Sequence, residues 1–292
     1  MSDGRFAPSP TGTLHLGNLR TALLAWLFAR SAGARFIVRM EDLDTGRVRE
    51  GVAEEQLADL AAIGLDWDGP VEYQSTRVGL YAGALEALRC ERRLYECYCT
   101  RAEIREAASA AHGPLPEGAY PGTCLRLSAA ELADRRASGR PPALRVRAEG
   151  ARVAFTDRLL GRIEGAVDDF VVRRGDGAFA YNLAVVVDDA AQGVEEVVRG
   201  SDLADSTPRQ LWLARALGLP EPSYAHVPLV LGPDGARLAK RHGDVTLREV
   251  PAGDALAWMA GSLGLPGRTA QELLAAFDPA RLSNADTRFE GV

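Results

Sequence analysis

The chain has 292 residues, of which 47% are hydrophobic and 25% charged, with a formal net charge of −6. That length suggests about two structural units around a sizeable core, and the composition is ordinary for a globular protein, which excludes disorder over most of the chain. No window nears the ~18 uninterrupted apolar residues of a membrane span, MSDGRFAPSPTG lacks the regions of a secretory signal, and four cysteines do not make a disulfide framework.

A cytoplasmic enzyme without a membrane partner is therefore the expected class. The acidic balance argues against indiscriminate DNA coating, though local basic stripes remain compatible with nucleic acid. Residues 4–7 read as a short strand ended by Pro8 and Pro10. Leu16, Leu19, Leu23, Trp26 and Leu27 recur at helical spacing and predict a helix over 16–32. RFIVRM (35–40) is β-rich, so the first forty residues predict a strand–helix–strand unit and a parallel sheet. Two amphipathic helices follow over 50–63 and 79–93.

The pattern changes near Tyr95. Three of the four cysteines, the stretch HGPLPEGAYPGTC and short strands such as ALRVR predict an inserted subdomain. Residues 170–173 and AYNLAVVV (180–187) return to sheet-core character. A helix over 206–217 starts at DSTP, and HVPLVL (226–231) is an apolar strand. A Gly-rich loop leads to Lys240-Arg241-His242-Gly243, and the last forty residues read as two helices, 252–263 and 270–277. The expected division is 1–94 and 166–245 as two halves of one α/β domain, 95–165 as the insertion, and 246–292 as a helical C-terminal segment.

Three groups of residues carry chemistry. The first is Arg5-Phe-Ala-Pro-Ser9-Pro-Thr-Gly-Thr-Leu-His15-Leu-Gly17-Asn18, which joins a strand to a helix start. A helix N-terminus offers unpaired N–H groups and partial positive charge to phosphates. Gly12 and Gly17 remove Cβ atoms where a ligand must come close, and His15 and Asn18, three apart, reach one face. The second is Lys240, the single lysine among 34 basic residues. Its retention marks a place where the wide arginine fork does not serve. The third is Cys97-x-Cys99 with Tyr120-x-x-x-Cys124, in which three thiolates could share a tetrahedral zinc ion. The fourth ligand, from the residues alone, is water, His112 or Tyr120. Cys90 reads as core, and Arg126, Arg135, Arg136, Arg140, Arg145 and Arg147 form a basic cluster suited to phosphate backbones.

HLGN in this context resembles the HIGH signature of class I aminoacyl-tRNA synthetases, and RFAPSPTGTLHLGNLRTAL resembles the glutamyl subgroup. The resemblance implies an α/β fold: a Rossmann-like, doubly wound parallel sheet with a zinc-bearing insertion and a short helical C-terminal segment. RLAKR (237–241) is similar to a degenerate KMSKS loop, with Arg237 at the first lysine position, Ala239 at the serine position and Lys240 at the second lysine. His15, Asn18 and Lys240 are thereby implied as catalytic, and Gly17 and Arg241 join them at ATP. The implied glutamate site is Arg5, Ala7 through its backbone, Ser9, Glu41, Tyr181 and Arg199. Arginine forks suit the two carboxylates, and a carboxylate suits the ammonium. CxC followed by YPGTC is similar to the zinc-bearing insertion of a glutamyl-synthetase relative, which implies Tyr120 as the fourth ligand.

The text YNLAVVVDDAAQGVEEVVRGSDLADSTPRQ, with Val185 where some full-length glutamyl enzymes carry Asn, looks closer to a truncated paralogue family, the glutamyl-queuosine tRNA(Asp) synthetases. That family activates L-glutamate with Mg-ATP without tRNA, then esterifies queuosine in the anticodon loop of tRNA(Asp). It has no anticodon-binding domain, and its habit is monomeric. The resemblance makes ATP, glutamate and tRNA(Asp) the expected partners, with one structural Zn2+ and ATP-bound Mg2+. A shortened glutamyl-tRNA synthetase charging tRNA(Glu), a ligase using no RNA, and an inactive paralogue binding RNA are the alternatives.

Overall fold

Strand β1 (Gly4–Phe6) leads through a proline-rich loop into helix α1 (Leu16–Ser31), which returns to strand β2 (Phe36–Met40), parallel to β1. The computed structural model describes residues 2–100, 102–104, 119–243 and 245–291, with Lys240 described through its backbone alone. Helix α1 is buried on every side, from Leu16 and Leu19 to Trp26 and Phe28, as a helix apolar all round must be. It lies between the sheet and the C-terminal helices.

Helix α2 (Val52–Ala62), strand β3 (Glu72–Tyr73) and helix α3 (Val78–Cys90) follow. The middle of the chain supplies β4 (Leu94–Cys97), α4 (Ala129–Ala137), β5 (Ala143–Val146), β6 (Arg152–Asp157), β7 (Gly161–Ala166) and β8 (Val171–Arg173). Then come α5 (Tyr181–Gln192), β9 (Glu196–Gly200), α6 (Thr207–Leu217), β10 (Ser223–Val227), β11 (Val230–Leu231), α7 (Ala252–Ser262), α8 (Ala270–Ala276) and β12 (Thr287–Arg288). Among the described residues the main sheet has seven strands in the order β3-β2-β1-β9-β10-β6-β7. Neighbours are parallel as far as β6, and β7 closes the edge antiparallel.

Successive side chains of a strand point to opposite faces, and both faces here are covered. Phe36, Val38 and Met40 pack with α1 and the C-terminal helices, whereas Ile37 packs with α3, α5 and α6. Val198 and Val197 divide between the same two cores, as do Ala225 and Tyr224. The fold is thus doubly wound α/β, with near-continuous apolar strands as a two-sided parallel sheet requires.

Strands β4, β5 and β8 form a separate three-stranded antiparallel sheet. The hairpin β6–β7 falls inside the span 95–165 of the sequence reading, yet it hydrogen-bonds to the main sheet through Tyr224 and Asp157. Strand β8, from the span assigned to the second half-domain, pairs with β5 instead. Cys90 is exposed rather than core. Helix α3 buries only Tyr81, Leu85 and Leu88, and a residue two positions past Leu88 lies on the opposite side of the helix. The buried Arg20 of α1 ties the C-terminal segment down, donating to the Pro228 carbonyl and the Thr287 hydroxyl, both at 2.8 Å. No helix among the described residues is long and apolar enough to cross a membrane.

Candidate active site

β1 and β9 are neighbours, but their next partners, β2 and β10, lie on opposite sides. Such a switch point leaves a crevice beyond the carboxyl ends of the strands. A cavity of about 960 Å³ opens there, and its wall includes Arg5, Ala7, Ser9, His15, Asn18, Glu41, Tyr181, Arg199 and Arg241. These residues come from β1 and its loop, the start of α1, the end of β2, the start of α5, β9 and the 237–241 loop. Residues separated by nearly the whole chain are thus brought to one place.

Two expected residues stand differently. Gly17 is not part of the wall. A Cβ there would meet the His15 imidazole at 3.0 Å, so its bareness seats a side chain of the chain itself rather than a ligand. Lys240 opens the short turn Lys240–His242 between the wall residues Ala239 and Arg241. Its side chain lies outside the described residues, as does all of His112.

The proline-rich loop is held by groups the sequence reading did not single out. Gln56 of α2 donates to the carbonyls of Ser9 at 3.0 Å and Gly12 at 2.7 Å. Its signal was present: Val52, Gln56 and Leu60 share one helical stripe, and the glutamine is a buried polar group on it. The backbone N–H of Glu41 donates to the Pro8 carbonyl at 2.8 Å. His15 caps α1, with its Nδ1 accepting from the Asn18 N–H and Asn18 Oδ1 accepting from the His15 N–H, both at 3.3 Å. An accepting Nδ1 assigns the imidazole proton to Nε2. The same helix end is tied to the chain beyond the lysine loop, where the Leu16 N–H donates to the Val245 carbonyl at 2.7 Å. That loop is itself anchored by Arg237 on Asp202, and by Asp234 against Arg241 at 3.4 Å and His242 at 3.1 Å.

Arg5 and Arg199 are both buried. Arg5 donates to Asp189 at 3.3 Å and to the Val198 carbonyl at 3.3 Å. Arg39, beneath it, donates to Asp189 at 2.8 Å and lies 3.6 Å from Glu41. Burial pushes the Asp189 carboxyl up, but the Arg5 and Arg39 guanidiniums outweigh it and hold the group below the usual carboxylate range. For Glu41 burial wins over the same two arginines, and its carboxyl sits above the ordinary range. Asp188, fully buried, accepts from Tyr81 at 2.7 Å, Arg77 at 2.6 Å and Gln74 at 2.9 Å. Arg39 inside FIVRM and the Asp188–Asp189 pair inside an apolar helix are charges interrupting buried patterns, the signal that could have found this network.

The cysteines come together as the spacing suggested. The Sγ atoms of Cys97, Cys99 and Cys124 all lie within 4.8 Å of one another. Tyr120 Oη is 3.5 Å from Cys97 Sγ and 3.6 Å from Cys99 Sγ, and it accepts from the Cys124 N–H at 2.7 Å. Three soft sulfurs and one oxygen around a common centre fit a tetrahedral metal of the zinc type. Hydrogen bonding from the Cys99 thiol holds the Cys97 thiol below its ordinary value, with Tyr120 and Arg145 acting in the same sense against burial. The basic cluster of the insertion is only partly free, with Arg126 and Arg140 exposed. Arg145 is buried, with its guanidinium 3.6 Å from the Tyr120 ring centre; Arg135 and Arg136 pair with Glu103 and Glu96.

Comparison with known proteins agrees with this geometry. Residues 3–285 match the family of class I tRNA synthetases (E and Q), catalytic domain. A glutamyl-Q tRNA(Asp) synthetase of Nocardia farcinica is 64% identical over 284 residues, covering 96% of this chain and 90% of the relative. Another, of Symbiobacterium thermophilum, is 52% identical, covering 98% and 95%. The crystal structure of a glutamate tRNA ligase from Elizabethkingia meningosepticum, in complex with its amino acid, superposes with a TM-score of 0.83 at 28% identity, covering 99% of this chain and 67% of that one. With its doubly wound sheet, its capped HLGN helix and these relatives, the chain is a ligase-type enzyme that belongs to the class I tRNA synthetases of the glutamyl and glutaminyl type, in the glutamyl-Q tRNA(Asp) synthetase family.

Proposed function

We propose that the chain activates L-glutamate with Mg-ATP and transfers it to the queuosine base in the anticodon loop of tRNA(Asp), the tRNA that its relatives' names carry. The observation behind this reading is the meeting, in one strand-end cavity, of a helix N-terminus bearing His15 and Asn18 with Arg5, Arg199, Glu41 and Tyr181. The helix end suits phosphate oxygens. Two guanidiniums suit the two carboxylates of glutamate, and the Glu41 carboxylate suits its ammonium.

In the first step an oxygen of the glutamate α-carboxylate attacks the α-phosphorus of ATP. The bond from that phosphorus to the bridging oxygen breaks, and pyrophosphate leaves with its magnesium. In the second step a hydroxyl of the modified base attacks the acyl carbon, the acyl–phosphate bond breaks, and AMP leaves, the hydroxyl proton passing to a phosphate oxygen of the leaving AMP. Catalysis is positioning plus charge stabilisation, with His15, Asn18 and Lys240 as donors. Arg5 and Arg199 are already held by hydrogen bonds within the chain, to Asp189 and to Gln210, Thr207 and His226, which supports activation without RNA. A second cavity of about 770 Å³ shares Ser9, Glu41 and Tyr181 with the first and runs past Arg140, Arg145 and Arg174. It is the proposed approach for the acceptor, since guanidiniums suit phosphate backbones. Cys97, Cys99, Cys124 and Tyr120 would hold a structural zinc that ties the end of β4 to the segment 120–124.

Glutamate-dependent ATP–pyrophosphate exchange without RNA tests the reading. Exchange with glutamate but not aspartate or glutamine, followed by glutamylation of queuosine-bearing tRNA(Asp), is the expected result. Exchange that appears only with tRNA(Glu) would overturn it.

A further inference from the structure

Arg199 is held from behind by groups that do not line the cavity. Its Nε–H donates to His226 Nε2 at 3.1 Å, and its Nη2–H to Thr207 Oγ1 at 2.8 Å. Its Nη1–H donates to Gln210 Oε1 at 2.8 Å and, on the cavity side, to the Tyr181 hydroxyl at 3.4 Å, where Nη2–H also reaches the Leu203 carbonyl of the cavity wall at 3.4 Å. The Arg199 Nε–H can only donate, so Nε2, its acceptor, carries no proton. Thr207 Oγ1, 3.2 Å from the same nitrogen, can then donate to it as well. The imidazole proton is then on Nδ1, 2.6 Å from Asp157 Oδ2.

Asp157 is fixed in turn. Its Oδ1 accepts from the N–H groups of Leu159 and Leu160 at 2.9 Å each, and its Oδ2 from the His226 N–H at 3.1 Å. Asp157 is 2% exposed and His226 is fully buried. The three residues stand on β6, β10 and β9, adjacent strands of the sheet, and His226 is the register partner of Arg199. A buried carboxylate and imidazole cost free energy that neighbouring apolar side chains would not, and among the described residues the one cavity side chain they bond to is the arginine.

We propose that Asp157 and His226 are positioning residues for Arg199: the Asp157 carboxylate keeps the imidazole proton on Nδ1, so that Nε2 remains an acceptor and aims the Arg199 guanidinium at a carboxylate of the amino-acid substrate. The inference rests on reading Arg199 as part of the glutamate pocket. The opposite tautomer would set Nε2–H against the Arg199 Nε–H and break the chain of bonds. In the same way, a histidine whose carboxylate partner becomes an amide takes the wrong tautomer in the serine-protease triad.

Long-range ¹H–¹⁵N correlation spectra test it directly, because the chain has only four histidines. Wild-type His226 is expected as the Nδ1–H tautomer; an Nε2–H tautomer overturns the proposal whatever any variant does. Asp157→Asn is expected to move the proton to Nε2 and to raise the KM for glutamate by about 10–100-fold, as loss of an orienting partner does, with the KM for ATP unchanged. A folded Asp157→Asn protein with the wild-type glutamate KM overturns it. His226→Gln and His226→Leu form a second test. The glutamine places an amide oxygen near the position of Nε2 and is expected to keep the glutamate KM closer to wild type than leucine does; equal values, or leucine the better of the two, overturn the proposal. Arg199→Ala separates the two readings. If it raises the glutamate KM while Asp157→Asn does not, this inference alone falls. If Arg199→Ala leaves the KM unchanged, the pocket reading falls and takes this inference with it.

Discussion

Glu41 follows β2 into the cavity carrying a charge that its surroundings disfavour. Burial raises its carboxyl above the ordinary value, against Arg39 and Arg5. A raised folded value means that the protonated form is favoured in the fold, so the ionised group costs stability at neutral pH and the cost fades as pH falls toward the unfolded value of about 4.3. Glu41→Gln is therefore expected to raise the melting temperature of the ligand-free protein at pH 7, with the difference shrinking toward pH 4, and to raise the KM for glutamate. Calorimetry at the two pH values with exchange kinetics checks both signs; a variant less stable at pH 7 would mean that the arginines need the charge. Lys240 makes the opposite case, a group identified by its uniqueness in the sequence. Lys240→Ala is expected to cut adenylate formation by about 10²–10³, the usual loss of one transition-state donor, with the fold intact. Wild-type exchange in the folded variant would remove Lys240 from the mechanism.

Helix α1 shows what local pattern can specify at the scale of an element. The spacing of Leu16, Leu19, Leu23, Trp26 and Leu27 announced the helix, and all five are buried. Leu23 has no exposed surface, so Leu23→Ala is expected to cost about 2–5 kcal/mol in urea unfolding, the range for emptying a packed leucine site. A loss well under 1 kcal/mol would mean that the core there collapses to fill the space. The three-stranded sheet makes a different demand. It packs on the main core through Leu94, Val146 and Val172, but the cluster around its thiols is small, consisting of Tyr95, Cys97, Tyr98, Tyr120 and Cys124 with a few partly buried neighbours. Metal binding to such a site is folding free energy. Chelation is therefore expected to raise amide exchange at the end of β4 and over 120–126 while leaving α1 and β9 protected, and added zinc should restore the protection. Unchanged exchange in β4 after verified metal removal would show that the sheet stands without the ion.

At the scale of the whole molecule, stability follows the buried carboxylates. Asp157 and Asp189 are both held below the ordinary range, the first mainly by His226 and two backbone N–H groups and the second by Arg5 and Arg39, in each case against burial. A depressed folded value contributes stability that is present above the unfolded value of about 3.9 and is lost as pH falls through the folded one. The urea midpoint is expected to fall steeply below about pH 4. A midpoint that stays flat to pH 3 would show these pairs to be energetically idle.

The sequence alone determined a great deal of this protein. Helical periodicity and the alternation of β-rich with amphipathic runs specified a parallel α/β sheet, because those periods are properties of the local chain. The HLGN and RLAKR segments named the family and nominated His15, Asn18 and Arg241, which the cavity wall gathers, and the cysteine spacing pointed to the three thiols that meet. Tertiary structure alone decided the rest. The hairpin β6–β7 carries the same local pattern as an inserted strand pair, and only the free edge of β10 makes it part of the main sheet. Arg145 reads as a surface arginine until the Tyr120 ring lies beneath it. Asp157, Thr207, Gln210 and His226 carry no motif. Their place behind Arg199 arises from the sheet order β9-β10-β6 and the helix that follows β9, which set partners up to 69 residues apart within hydrogen-bonding distance. Pattern along the chain reports which face a residue buries; strand order decides what that face meets.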